Sequence, residues 1–330
     1  MADQLDAPSH RRTTALNLAF ALAGAALLYM TVRRVGWDDL QSSLTRIGWW
    51  YLVILMLGGL RFAARSCAWV VCAQPDRLRV RDAFAATLAG DALGNLTPLG
   101  LLASEPAKVF IVKDRLPVVR AVASVAAENA FYSITVLAMI ASGALAFFAT
   151  AHVAPALRMV AQAALVGVAV GGLLAVWGAR RQPAVLTRVA RVLARITGRK
   201  ATSLDRLREI EVHFYALLTW PASRIGRVFF WHALFHVGAV TEVFLVLRLV
   251  SSGATLLQAF VLETTGRLIV VVFKFVPYRL GIDEAGTALV ARALTLDPTA
   301  GVALALVRRI RILVWNGVGL LLLTLTRLRR

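Results

Sequence analysis

Acidic residues are scarce in this chain. Eighteen Asp and Glu stand against 37 Lys and Arg in 330 residues, a formal net charge of +19. Cysteine is scarcer still: Cys67 and Cys72 are the only two. Five apart within one apolar segment, they suit neither a disulfide nor a metal pair and read as small apolar filler. No Walker-type phosphate loop occurs, so ATP hydrolysis has no support. No Ser/His/Asp signature is found either. His232 and His236 make His-x-x-x-His, but position 233, where a metalloprotease helix carries Glu, is Ala. No metal and no cofactor is expected. The alternating pattern of a membrane β-barrel is missing as well.

Apolar residues are abundant. The chain is 59% hydrophobic with a mean hydropathy of +0.71, whereas soluble domains are roughly 45–50% apolar. Several runs reach the roughly 20 helical residues that cross about 30 Å of hydrocarbon. Backbone groups in lipid must be satisfied within their own segment, which favours helices. The reading is an all-α polytopic membrane protein. Its basic surplus then reports topology and contact with anionic lipid headgroups, not nucleic acid.

Residues 1–12 form a polar tail. Thr13–Val32 reads as a first, uncleaved span, and Trp37–Gly48 as an amphipathic connector. Further spans are expected at Trp49–Ala73, Val118–Thr150, Pro155–Ala179, Arg227–Val250 and Thr299–Thr326. Between them lie two proline-broken apolar regions, 83–113 and 256–294, and a basic segment, 180–226, with two amphipathic stretches. Arginines gather at 77–81, after Ala179 and at 327–330, whereas Thr150–Pro155 and Ser251–Leu256 carry none. By the positive-inside rule this places both termini in the cytoplasm of a cell whose inner membrane the chain spans. Six full spans fit, provided each broken region enters and leaves on one side. Arg33 and Arg34, on the outer side, are the discord, met by snorkelling.

The broken regions match. Pro98 and Glu105 in the first correspond to Pro277 and Glu284 in the second, each 179 residues later (277 − 98 and 284 − 105). Each half, 13–150 and 151–330, then holds three full spans, so the halves lie inverted. Inverted repeats with discontinuous helices are a transporter plan, with a site near the midplane. Proline opens a helix well, so new helices are expected near Leu99 and Tyr278, with positive ends that suit a phosphate. Charges inside the spans mark functional sites by default. Arg120, Ser124, Glu128 and Tyr132 form one stripe, Arg61 and Arg65 another, and Arg308, Arg311 and Trp315 a third. Glu263, Arg267 and Lys274 share a face, and Glu263 is expected to pair with Arg267. Arg61, Arg65, Arg308 and Arg311 outnumber their nearby acids and are expected to want an anion such as a lipid phosphate. Glu105 and Glu284 are expected to approach one cavity, either protonated or paired with Lys108, Arg308 or Arg311.

The stretches GDALGNLTPLGLLASEPAKVFIV, AENAFYSITVLAMI, FVPYRLGIDEAGTALVARAL and VRRIRILVWNGVGLLLL resemble the flippase-like membrane domain of lysylphosphatidylglycerol synthases. The resemblance covers essentially the whole chain. It implies that Asn95, Pro98, Gly281 and Glu284, and by the repeat Glu105, line a lipid path. Lysyl-transferring members carry a soluble transferase domain after the membrane part. This sequence ends at Arg330, so lysine transfer is not expected. The resulting expectation is a translocase for a phosphate-bearing lipid. An intramembrane enzyme acting on a lipid headgroup, with Glu105, Glu284 or His232 as acid or base, is the rival reading. A third is an accessory subunit of a separate lipid synthase or glycosyltransferase.

Overall fold

The computed structural model describes residues 37–96, 101–150, 155–197, 204–251, 253–273 and 281–328, with Tyr29, Arg33 and Arg279 singly. The expected first span, the tip prolines Pro98 and Pro277, and Lys274 lie outside the described residues. Among the described residues every regular element is helical. In chain order they are α1 (Trp37–Ile47), α2 (Trp50–Ala73), α3 (Val80–Leu96), α4 (Leu101–Val112), α5 (Val118–Thr150), α6 (Pro155–Arg181), α7 (Val185–Thr197) and α8 (Leu204–Tyr215). A 3-10 turn (Ala216–Thr219) leads to α9 (Ala222–Val250), α10 (Leu256–Val272), α11 (Ile282–Ala293) and α12 (Pro298–Leu328).

Four of these helices, α2, α5, α6 and α9, are long and apolar enough to cross a membrane. The chain is therefore an all-α, multi-pass membrane protein. The last expected span, Thr299–Thr326, is not among the four. Its helix α12 has 31 residues, which is ample length, but Arg308, Arg309 and Arg311 interrupt its apolar run. The two broken regions each resolve into a 17-residue helix and a 12-residue helix. At 1.5 Å per residue these reach about 25 Å and 18 Å, short of the roughly 30 Å hydrocarbon core.

Contacts fix the direction of each helix. Arg61 meets Glu242 while Arg224 reaches the carbonyls of Val71 and Cys72, so α2 and α9 run antiparallel. Lys108 faces Asp91, and Arg115, just past α4, faces Asp82, so α3 and α4 form an antiparallel pair. Gln258 donates to the Leu294 carbonyl, and Ile269 abuts Gly286, which makes α10 and α11 antiparallel too. Asn95 bonds Asn316 and Gly319 abuts Leu88, setting α3 against α12. Likewise Tyr132 bonds Arg267 and Gly143 abuts Thr264, setting α5 against α10.

Small residues allow this closeness. A Cβ on Gly319 would sit 2.4 Å from the Leu88 carbonyl oxygen, and one on Gly301 would sit 2.7 Å from that of Thr287. Without a hydrophobic drive between helices in lipid, close packing of this kind is a main source of association. Trp315 fills the notch left by Gly58 and Gly59 and donates to the Leu55 carbonyl at 3.2 Å. Polar signals set helix starts. Thr255 and Gln258 form a reciprocal capping box at the head of α10. Gly281, at φ +75°, precedes α11, a left-handed conformation that glycine adopts without steric cost.

That glycine shifts one expectation. The helix expected to start near Tyr278 begins at Ile282. Glu284 therefore lies in its first turn with Asp283, and the positive helix end faces the protein's own carboxylates.

Candidate functional site

Charge converges from seven helices, α2, α4, α5, α9, α10, α11 and α12. Arg61 on α2 donates to Glu242 on α9 at 2.7 Å, and Arg311 on α12 approaches the other oxygen of Glu242 at 3.0 Å. On α10, Glu263 takes Arg267 at 2.7 Å and also pairs with Arg308 of α12. Arg65 forks onto Glu128 of α5 at 2.8 Å and reaches Asn129 at 2.9 Å. Arg309 bonds Glu284 at 2.8 Å. Arg279 lies 3.4 Å from Asp283, and Lys108 lies 3.1 Å from Glu105. Aromatic faces seat three of the guanidinium groups. Arg61 and Arg267 both lie over Phe235, at 4.8 and 5.0 Å, and Arg65 lies over Tyr132 at 4.5 Å.

Helical spacing creates the cluster. Arg61 and Arg65 are one turn apart, as are Arg308 and Arg311, so each pair projects from one face. Unpaired, such charges would be costly in a low-dielectric interior, and each finds a carboxylate. The expectation that Arg61, Arg65, Arg308 and Arg311 stand unpaired is therefore corrected. Glu242 serves two arginines from helices distant in sequence, and Glu263 serves one from its own helix and one from α12. The expected pairing of Glu263 with Arg267 is present, with Arg308 as a third member. Glu284 pairs with Arg309, not with Lys108, Arg308 or Arg311.

Two cavities meet at this cluster. The smaller, about 230 Å³, is lined by seven arginines (61, 65, 267, 279, 308, 309 and 311) and three acids, Asp91, Glu263 and Asp283. The larger, about 1090 Å³, lies beside α4, α5 and the end of α10. Its inner end shares Arg65, Asp91, Asn95, Tyr132, Arg267 and Arg279 with the smaller cavity. Its outer wall is mostly apolar, from Val109 and Val122 to Val136, Leu137 and Val271, with Lys108, Lys113, Ser104 and Glu105 among it. A space that is charged at one end and apolar along its flank suits an amphipathic molecule with an anionic head.

Not every expected residue lines these spaces. Asn95, Glu105 and Lys108 face the larger cavity, and Arg61, Arg65, Arg308 and Arg311 face the smaller. Glu128 and Glu284 are 3% and 0% exposed and sit behind Arg65 and Arg309. The expectation that Glu105 and Glu284 approach one cavity from opposite sides is corrected for Glu284, which lines neither cavity and whose carboxylate is held by Arg309. Gly281 acts on backbone geometry. Pro98 and Pro277 lie outside the described residues. Residues that sequence reasoning passed over include Arg279, Arg309 and Asp283. Arg309 adjoins two arginines singled out by spacing, and a run of three bases within four residues of an apolar helix was the signal. His232 is buried with neither ring nitrogen in a hydrogen bond, and His236 bonds Thr135 at 3.0 Å. Among the described residues no His, Cys, Asp and Glu group is arranged to hold a metal ion.

These observations define a class: a helical membrane protein with an internal arginine cluster beside a largely apolar cavity. The sequence profile described as the lysylphosphatidylglycerol synthase TM region matches residues 15–318, and the chain belongs to that family. That description covers a membrane region tied to lipid chemistry, with no catalytic domain in it. No curated protein and no solved structure matches the chain.

Proposed function

We propose that the chain carries a phosphate-bearing lipid between the leaflets of the cytoplasmic membrane. The observation that supports this reading most is that the two cavities adjoin, with Arg65, Asp91, Arg267 and Arg279 in the lining of both. The arginine-lined one suits a phosphate, since guanidinium groups donate in a planar fork that matches its oxygens. The apolar one suits acyl chains. Two buried donors favour a further acceptor: Arg61 Nε and Arg309 Nη1 have no hydrogen-bond partner among the described residues, and both arginines line the smaller cavity. Carriage fits better than headgroup chemistry, because Glu105 and Glu284 are committed to ion pairs, and His232, the third acid/base candidate, lines neither cavity.

We also infer an inverted repeat. Helices α2 to α5 have 24, 17, 12 and 33 residues, and α9 to α12 have 29, 17, 12 and 31. Each helix runs opposite to its counterpart, α2 and α9 directly. The rest do so through the antiparallel pairs above, once α2 is set antiparallel to α3 by Ser66–Thr87 and the short link 74–79, and to α5 by Arg65–Glu128 and Trp69–Ser124. The contacts themselves are preserved on exchange: α3 on α12 becomes α10 on α5. In this reading the α3–α4 and α10–α11 pairs are re-entrant, and both termini are cytoplasmic. The test is a proteoliposome assay in which an impermeant reductant bleaches fluorescent lipid in the outer leaflet. Loss of more than half the signal in vesicles that hold the protein supports carriage. A plateau at half, as in protein-free vesicles, contradicts it.

A further inference from the structure

The two cavities correspond to one another. Counterpart helices start 176 residues apart for α3 and α10, and 180 apart for α5 and α12. Glu105 and Glu284, on α4 and α11, are 179 apart. By these offsets Ser104 and Lys108 of the larger cavity correspond to Asp283 and Thr287 of the smaller, and Asn129 and Val136 correspond to Arg309 and Asn316. Asp91 and Arg267 are counterparts too, and both line both cavities, at the junction. Yet the volumes differ, at about 1090 and 230 Å³.

A latch accounts for the difference. On the small side, Glu284 of α11 bridges to Arg309 of α12 at 2.8 Å. Gly301 lets the α11 backbone lie directly against α12. On the large side the counterpart carboxylate, Glu105, bonds Lys108 of its own helix instead. Asn129, the counterpart of Arg309, is taken by Arg65. Among the described residues, Glu105 and Asn129 therefore make no counterpart of the bond by which Glu284 ties α11 to α12.

We infer that the smaller cavity is the closed form of a second lipid mouth. It opens toward the other membrane face when the α11–α12 latch releases, as the larger mouth closes. The phosphate stays near the shared Asp91–Arg267 junction while the apolar opening changes sides. The inference rests on the lipid-carrying reading for its ligand and on the inverted repeat for its geometry.

Distances between spin labels in lipid nanodiscs test it. One pair is Ala103→Cys with Ile134→Cys, across α4 and α5. The other is its counterpart, Ile282→Cys with Val314→Cys, across α11 and α12. None of the four lines either cavity. Cys67→Ser and Cys72→Ala supply the background. If Cys72→Ala misfolds, Cys72 is retained, being 4% exposed and shielded from the label. Each pair is expected to give two distances, with the long fraction of one equal to the short fraction of the other. Arg309→Gln should shift the second pair toward its long distance. A single distance for each pair, unmoved by Arg309→Gln, overturns the inference. A protein that passes this test but moves no lipid in vesicles refutes the carrying reading and leaves the exchange standing.

Discussion

Glu242 holds two guanidinium groups, Arg61 and Arg311, at a position with no exposure. Replacing it with Gln leaves two buried cations sharing a neutral amide. Breaking a buried ion pair from one side costs about 3–5 kcal/mol. Glu242→Gln is therefore expected to lower the unfolding midpoint in detergent sharply, and an unchanged midpoint would show that Glu242 does not balance these charges. Arg309 plays a different part, with Nε and Nη2 on Glu284 and Nη1 buried without a hydrogen-bond partner among the described residues. Losing a charged hydrogen bond to a ligand costs about 1.5–3 kcal/mol, roughly ten- to 150-fold in affinity. Arg309→Lys should bind phosphate-bearing lipid that much more weakly in a lipid-exchange titration, since an ammonium cannot fork between carboxylate and phosphate. Much at this scale was legible in the sequence. Arg61, Arg65, Arg308 and Arg311 stood out by their helical spacing and face the smaller cavity. Their partners were not legible. Glu242 lies 181 residues from Arg61, and nothing local joins them.

At the scale of elements, helix packing against a glycine carries a sharp expectation. A methyl on Gly319 would lie 2.4 Å from the Leu88 carbonyl oxygen, a backbone atom that cannot rotate away, whereas one on Gly317 meets nothing within 4 Å. Gly319→Ala should destabilise by about 1–3 kcal/mol and Gly317→Ala should not, as judged by thermal unfolding of the two purified variants. Helix α7 carries a second expectation. Only residues 182–184 separate it from the membrane helix α6. It packs on α8 through Thr187, whose hydroxyl donates to Glu211 at 2.6 Å. That leaves Val185, Val189 and Val192, each about half exposed, in a stripe beside the exposed Arg188 and Arg191. Such a helix is expected to rest in the membrane interface, each arginine contributing about 1 kcal/mol near an anionic surface. A nitroxide at Val189→Cys should be shielded from a water-soluble relaxant in anionic nanodiscs and become exposed when Arg188 and Arg191 are both changed to Glu. Equal exposure in both would place α7 in water. The long apolar helices were readable from composition. The start of α11 was not, because a left-handed Gly281 four residues beyond Pro277 delays it, and no periodicity signals that.

At the scale of the molecule, the matched proline-to-glutamate spacing pointed to related halves. The matching helix lengths and opposed directions add support that no single stretch of sequence carries. The unequal cavities were invisible in sequence, since they depend on which ion pairs form across helices. The central claim is that the arginine cluster selects a phosphate. It is tested most directly in proteoliposomes by comparing two fluorescent lipids with identical acyl chains, one with a phosphoglycerol head and one with a neutral sugar head. The account predicts that the wild-type protein moves the phosphate lipid across the bilayer unchanged, faster than the neutral one by roughly the ten- to 150-fold worth of one charged hydrogen bond or more. Equal rates for the two lipids, or recovery of a chemically altered headgroup, would contradict it.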